Sequence, residues 1–179
     1  MRIAATFSVV IATTLAVGLL ASQQESSACV APESPAGPLD SLTVSLGESP
    51  VKICYTRVPS SGGPADWSRL RELDVPIVHT LVGLRFGRVE VGPGSYALLP
   101  VSQNGQVAII WVPDPESASS AGTTADREVG RTRGAVEQLK RPAEALRVRG
   151  EGGGDNVVLF IEWGDTELVV PILISRLPG

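Results

Sequence analysis

The sequence predicts an all-β protein: an antiparallel β-sandwich, or a barrel-like fold, of about nine strands with one short helix. Three observations lead to this prediction. Short segments in which apolar and polar residues alternate recur along the chain, as expected of strands with one buried face. The 19 glycines and 14 prolines supply the turns that many short strands require. Aromatic residues make up only 4% of the chain, so the core must consist mainly of aliphatic side chains.

The predicted strands follow from this alternation and from the turn residues between them. They span residues 41–46, 51–57, 75–81, 84–91, 96–102, 106–112, 127–140, 143–149, 157–163 and 166–172. Asn104-Gly105 accepts the positive φ angles of a two-residue hairpin turn, which sets Leu98 opposite Trp111 and Leu99 opposite Ile110.

A second hairpin is predicted at Gly164-Asp165, because glycine suits the first position of a two-residue turn. Closure there sets Trp163 opposite Thr166 and Glu162 opposite Glu167. Like charges directly opposite each other are destabilising, and paired carboxylates can perform acid–base chemistry or hold a cation. The alternative is a surface pair that water screens or that an arginine neutralises.

One helix is predicted over residues 66–73, where Asp66 can cap the first turn and Trp67, Leu70 and Leu73 fall on one side. Polar stretches predict loops at 59–64 and 113–126 and a flexible connector at 150–155.

The N-terminus predicts export. Arg2 precedes an apolar stretch that is densest over residues 9–20, and Ser26-Ser27-Ala28 fits a signal-peptidase site, so residues 1–28 are expected to be a signal peptide cleaved after Ala28. A membrane anchor is the alternative. Residues 29–40 then form a proline-rich linker and residues 41–176 a single β domain. No later stretch is long and apolar enough to span a bilayer.

The two cysteines, Cys29 and Cys54, have three possible states. Export makes a disulfide between them chemically possible, and alternation places Cys54 on the same strand face as Lys52 and Thr56. An unpaired, half-buried Cys54 is the second possibility. A lipid anchor on Cys29 is the third. The protein is therefore expected to be periplasmic or secreted, with lipid anchoring at Cys29 as the minor alternative.

Charge and motifs exclude several functions. A net charge of −4 argues against binding to nucleic acids, which requires a dense basic surface. His79 is the only histidine, and no clustered His, Cys, Asp or Glu residues surround it in the sequence, so no metal is predicted. His79 is either a general base or a satisfied strand histidine. The chain has no Gly-x-Ser-x-Gly elbow and no phosphate-binding loop, and no cofactor is predicted.

Four segments resemble DUF2911, a bacterial family of exported proteins of no established function. They are Ile53-Cys54-Tyr55-Thr56-Arg57, Gly92-Pro93-Gly94-Ser95-Tyr96-Ala97-Leu98, Glu128-Val129-Gly130-Arg131 and Glu162-Trp163-Gly164-Asp165-Thr166. The resemblance extends from about Ser41 to about Ile174. This chain departs from the family at Arg57-Val58-Pro59, where Arg-Pro is usual. It also lacks the family's Ala-Asn-Glu segment after Trp67 and its Trp-Gly segment after Val112. If the family binds a ligand at those residues, this chain is expected to have lost or remodelled the site.

The main hypothesis is a non-enzymatic, extracytoplasmic binding or scaffolding domain of the bacterial envelope. Its partner would be a small ligand, a glycan or an envelope protein. The alternative is a hydrolase-like enzyme that uses Glu162 and Glu167, or His79. A third possibility is a purely structural subunit of an envelope complex. The candidate binding residues are Arg57, Trp67, His79, Glu162 and Glu167. Convergence of His79 and the two glutamates in one concave pocket would favour the enzyme.

Overall fold

Two antiparallel sheets form the part of the chain that the computed structural model describes, which is residues 29, 37–67, 69–70, 75–103, 106–113 and 128–175. The strands are β1 (Leu39–Leu46), β2 (Ser49–Thr56), β3 (Ile77–Thr80), β4 (Leu84–Phe86), β5 (Val89–Val91), β6 (Gly94–Gln103), β7 (Gln106–Pro113), β8 (Gly130–Arg133), β9 (Ala135–Gly153) and β10 (Asn156–Ile174). One sheet has the order β1-β2-β3-β6-β7-β8 and the other β5-β4-β10-β9. The predicted all-β sandwich is confirmed.

The core lies between the sheets, where alternate residues of each strand point inward. Ile53 and Val78 are opposite each other in the first sheet and are fully buried, as is Trp111. Trp111 stacks on Phe86 of the second sheet, with ring centroids 3.6 Å apart. β1 lies beside β9 and β5 beside β8, so both pairs of sheet edges approach each other and the sandwich has a barrel-like cross-section.

The predicted hairpin between β6 and β7 is confirmed. Leu98 lies opposite Trp111 and Leu99 opposite Ile110, as a two-residue turn at 104–105 requires; the turn residues themselves lie outside the described part of the chain. The single strand predicted over 84–91 is instead two strands, β4 and β5. They pair antiparallel across a turn at Gly87-Arg88, where Gly87 has a φ of 60°.

The hairpin predicted at Gly164-Asp165 is wrong. β10 runs through this position as one 19-residue strand, and its hairpin with β9 turns at Gly154-Asp155, inside the segment expected to be a connector. Glu162 therefore lies opposite Arg147, and Glu167 lies opposite Glu137. The register shifts on both sides of Gly164, which marks a β-bulge.

Gly164 is at this bulge because a side chain would not fit there. Its φ is +61°, and a Cβ atom would lie 2.5 Å from the carbonyl oxygen of Gly63. The backbone N–H of Asp165 donates a hydrogen bond of 3.2 Å to that same oxygen. The bulge thus brings the loop after β2 into contact with β10.

We expect Gly164→Ala to lower the free energy of unfolding by about 2 kcal/mol, because it adds a backbone clash to the cost of a left-handed alanine. Gly154→Ala is the matched control: its φ is +63°, but no atom lies within 4 Å of the added Cβ. The control should lose about 1 kcal/mol. Urea denaturation measures both values, and equal losses would show that the contact with Gly63 is unimportant.

The described part of the predicted helix 66–73 is a single helical turn. The backbone N–H of Arg69 donates to Asp66 Oδ1, and that of Leu70 to the Asp66 carbonyl, both at 3.2 Å. Trp67 and Leu70, which were expected on one side of the helix, are both buried. Residues 71–74, the predicted signal peptide 1–28 and most of the loop 113–126 lie outside the described residues. In the described part of the chain, no helix has the length and apolarity needed to cross a membrane.

Cys29 and Cys54 form a disulfide, with Cα atoms 5.7 Å apart. Of the three states that the sequence left open, the structure shows the bridged one. The Cys29 sulfur is thus occupied, and it is the same atom that a lipid thioether would need. Disulfides persist in oxidising compartments and are rare in the cytosol.

Candidate functional site

A small pocket lies where the loop after β2 crosses the bulge of β10. We call it the Trp163 pocket; its lining residues are Pro59, Ser60, Ser61, Pro64, Ala65, Asp66, Arg69 and Trp163. Its volume is about 40 Å³, which has room for about three water-sized groups.

Backbone hydrogen bonds to β9 hold the start of this loop. The N–H of Leu146 donates to the Val58 carbonyl, and the N–H of Ser60 donates to the Glu144 carbonyl, each at 2.8 Å. Farther along, Ser60 Oγ accepts from the N–H of Gly62 at 3.0 Å. Together with the hydrogen bond from Asp165 to Gly63, these bonds attach the loop to β9 and to β10. The pocket is therefore pre-formed.

Trp163 forms part of the buried wall of the pocket and is 5% exposed. Its ring packs edge-to-face against Trp67, with centroids 6.3 Å apart. The indole N–H of Trp163 has no hydrogen-bond partner among the described residues, and neither does Asp165 Oδ1 or Thr166 Oγ1. Trp111 Nε1 and Ser175 Oγ are also unpaired among the described residues, but only at the bulge do three such atoms belong to nearly consecutive residues. Because buried polar atoms in proteins are nearly always paired, this group marks a place where a water or a ligand can supply the missing partner.

The rim of the pocket carries one charge of each sign, on Asp66 and Arg69, both exposed. Asp66 accepts the capping hydrogen bond from the Arg69 backbone through Oδ1, while Ser60 and Ser61 add hydroxyl groups. Donors and acceptors therefore lie side by side around the opening.

A second, larger depression of about 440 Å³ lies over β4, β5 and the end of β10. Its lining includes exposed Arg85 between its cross-strand neighbours Glu90 and Leu173. Asp155 and Ile174 complete it. It is broad and open to solvent, and none of the residues that line it has a buried polar atom without a partner. We therefore regard the smaller Trp163 pocket, with its buried unpaired donor, as the better candidate site.

Glu162 and Glu167 do meet, but through an arginine and not as a facing pair. Arg149 Nε donates to Glu162 and Nη1 to Glu151, and Nη2 donates to Glu167 at 3.0 Å. The guanidinium carbon also lies 4.2 Å above the centre of the Phe160 ring. Among the described residues no group of His, Cys, Asp and Glu is arranged to hold a metal ion.

His79 lies in the other sheet, on β3, opposite Lys52 of β2 and Ser95 of β6. Its Nδ1 is hydrogen-bonded to Ser95 Oγ at 2.8 Å. The imidazole and the two carboxylates thus belong to different sheets and do not converge in one pocket.

Burial lowers the pKa of His79 below its ordinary value of 6.5, and the Lys52 ammonium lowers it further. The folded protein therefore holds this proton more weakly than the unfolded chain does. The contribution of neutral His79 to the free energy of unfolding should be fully present above about pH 6.5. It should be lost as the pH falls through the folded-state pKa.

We expect an NMR titration of the single histidine to give a pKa below 6.5 and Lys52→Gln to raise it partway back. His79→Gln should remove this part of the pH dependence of stability. A value at or above 6.5 in the wild-type protein would contradict the proposed environment.

Of the residues singled out in the sequence, Trp67 supports the pocket through its contact with Trp163. Arg57 does not line it: its side chain is exposed, and its backbone N–H donates to the Pro38 carbonyl at 2.8 Å. Sequence reasoning missed the lining residues Ser60, Asp66, Arg69 and Trp163 as a site. The closing Glu-Trp-Gly-Asp-Thr motif was the available signal, but nothing in the sequence linked it to the loop.

The fold and the site together define a disulfide-bonded β-sandwich with a small polar pocket at a strand bulge. Compared with known proteins, the chain matches no protein-family model, no curated protein and no solved structure. The resemblance to DUF2911 thus rests on the sequence motifs alone.

Proposed function

We propose that this chain is an exported, non-enzymatic binding domain that holds a small polar ligand in the Trp163 pocket. The observation that carries the proposal is the buried indole N–H of Trp163, which has no partner among the described residues. A buried donor without an acceptor costs about 1–3 kcal/mol. A ligand that reaches this atom and supplies the acceptor would recover this energy.

Two observations support export to the periplasm or the medium. The bridge between Cys29 and Cys54 is typical of oxidising compartments. Residues 1–28 have the charge, apolar stretch and small-residue site of a signal peptide. A role in the bacterial envelope is part of the same proposal, and it draws on the resemblance to DUF2911.

The arrangement of the candidate acid–base groups supports binding over catalysis. Glu162 and Glu167 are both engaged by Arg149, and neither they nor His79 lines the Trp163 pocket. The hydrolase alternative has one observation in its favour, the hydrogen bond between His79 and Ser95. A serine and a histidine in contact can form a nucleophile and base, but such catalysis also needs a site that binds the substrate against them.

A thermal-shift screen of sugars, amino acids and small organic acids tests the proposal. We expect at least one compound to raise the melting temperature of the wild-type protein, because a ligand that prefers the folded state stabilises it. Trp163→Phe, which removes the N–H and keeps a ring, should weaken that response.

Trp111→Phe is the matched control, since Trp111 also has a buried, unpaired N–H but is not among the residues that line the pocket. It should respond to the compound as the wild-type protein does. Equal responses of all three proteins, or no response from any, would contradict binding in this pocket.

A further inference from the structure

The chemistry of the Trp163 pocket narrows the class of ligand. The indole of Trp163 and the guanidinium of Arg69 only donate hydrogen bonds, whereas the carboxylate of Asp66 only accepts them. The hydroxyl groups of Ser60 and Ser61 can do both. A ligand that pairs with all of these groups must therefore have hydrogen-bond acceptors and hydrogen-bond donors within a few ångströms of each other.

Purely ionic ligands fit this set poorly. An anion attracted by Arg69 would also face the carboxylate of Asp66, and a cation attracted by Asp66 would face Arg69. Hydroxyl groups avoid this conflict, because each one both donates and accepts. One hydroxyl can accept from the Trp163 indole while its neighbour donates to Asp66.

The size of the pocket limits how much of the ligand enters. A volume of about 40 Å³ admits two or three hydroxyl-sized groups but no complete sugar ring. The rest of the ligand must lie at the opening, where Pro59 and Pro64 are exposed. Their C–H surfaces suit the apolar face of a sugar ring.

We infer, building on the function proposed above, that the pocket binds a neighbouring pair of hydroxyl groups on a terminal sugar. The ligand class is thus a glycan end or a free sugar. Trp163 and Arg69 donate to it, Asp66 accepts from it, and the two prolines contact the ring.

Tryptophan side-chain NMR tests this inference directly. The chain has three tryptophans, so ¹⁵N-labelled protein gives three indole N–H signals that single Trp→Phe variants assign. The probes are the methyl glycosides of glucose, galactose, mannose and fucose, which differ in the orientation of their hydroxyl pairs. Sodium acetate tests an anion, and alanine tests a zwitterion.

We expect at least one glycoside to shift the Trp163 signal in a saturable way while the Trp111 signal stays in place. Asp66→Asn should weaken the apparent affinity about tenfold, because it replaces a charged acceptor with an amide yet retains an N-cap for the helical turn. Arg69→Gln should also weaken binding. Arg88→Gln, at the exposed turn between β4 and β5, should leave it unchanged.

The possible outcomes separate this inference from the function on which it rests. A response of Trp163 to acetate or alanine, with none to any glycoside, would overturn the sugar assignment and leave the binding pocket in place. No response of Trp163 to any probe, with none in the thermal-shift screen either, would overturn both. An unchanged affinity in Asp66→Asn would show that the carboxylate does not accept from the ligand.

Discussion

Replacement of Arg149 by methionine is expected to lower the free energy of unfolding by about 3 kcal/mol. The substitution keeps the aliphatic length over Phe160 but removes the charge that holds Glu162 and Glu167. The side chains of these two glutamates are only 11% and 14% exposed, so they would remain largely buried without a counter-ion. Breaking a buried ion pair by removing one partner is costly for this reason. Urea denaturation measures the change.

Arg147→Met provides the matched control for this experiment. Arg147 lies on the same strand, opposite Glu162, but its side chain is exposed and should contribute less than about 0.5 kcal/mol. Adding Glu162→Gln and Glu167→Gln to Arg149→Met should recover part of the loss, because the amides are neutral. Equal losses for the two arginine variants would show that the carboxylates do not depend on Arg149.

Local signals in the sequence predicted much of the fold. Asn104-Gly105 is flanked by alternating strands and has one good interpretation, and the pairing of Leu98 with Trp111 follows from it. The pattern around Gly164-Asp165 has two interpretations, a hairpin turn and a bulge within one strand. Before it the buried residues are at odd positions, such as Leu159 and Ile161, and after it at even positions, such as Leu168. A two-residue turn changes this phase, but so does a one-residue bulge. The alternation alone could not distinguish a hairpin from a continuous strand.

The candidate site was less predictable because it is formed by tertiary contacts. The loop that carries Ser60 reaches Trp163 only because Val58 and Ser60 bond to β9 and the bulge at Gly164 leaves space for Gly63. These contacts join positions about a hundred residues apart, and no spacing rule in a single sequence connects them. The sequence did identify Glu162 and Glu167 as neighbours, but it placed them opposite each other in a hairpin. In the structure they are neighbours because both bind Arg149.

Loss of the disulfide should have an effect of similar size to the loss of Arg149. Cys29 and Cys54 are 25 positions apart, and a cross-link that closes a loop of this length stabilises the folded state by about 3 kcal/mol, mainly by restricting the unfolded chain. We expect a reducing agent to lower the urea midpoint of the wild-type protein by a corresponding amount. The variant with both Cys29→Ala and Cys54→Ala should start at the lower midpoint and not respond to the reducing agent.

The slope of the unfolding free energy against urea concentration shows whether the disulfide acts on the unfolded chain or on the folded state. If the bridge restricts the unfolded chain, reduction exposes more surface on unfolding and raises the dependence of the free energy on urea. If the bridge acts only through native contacts around Cys54, which is 4% exposed, the slope should stay constant while the midpoint falls. A midpoint that reduction leaves unchanged would contradict both, and would show that residues 37–54 fold independently of their link to Cys29.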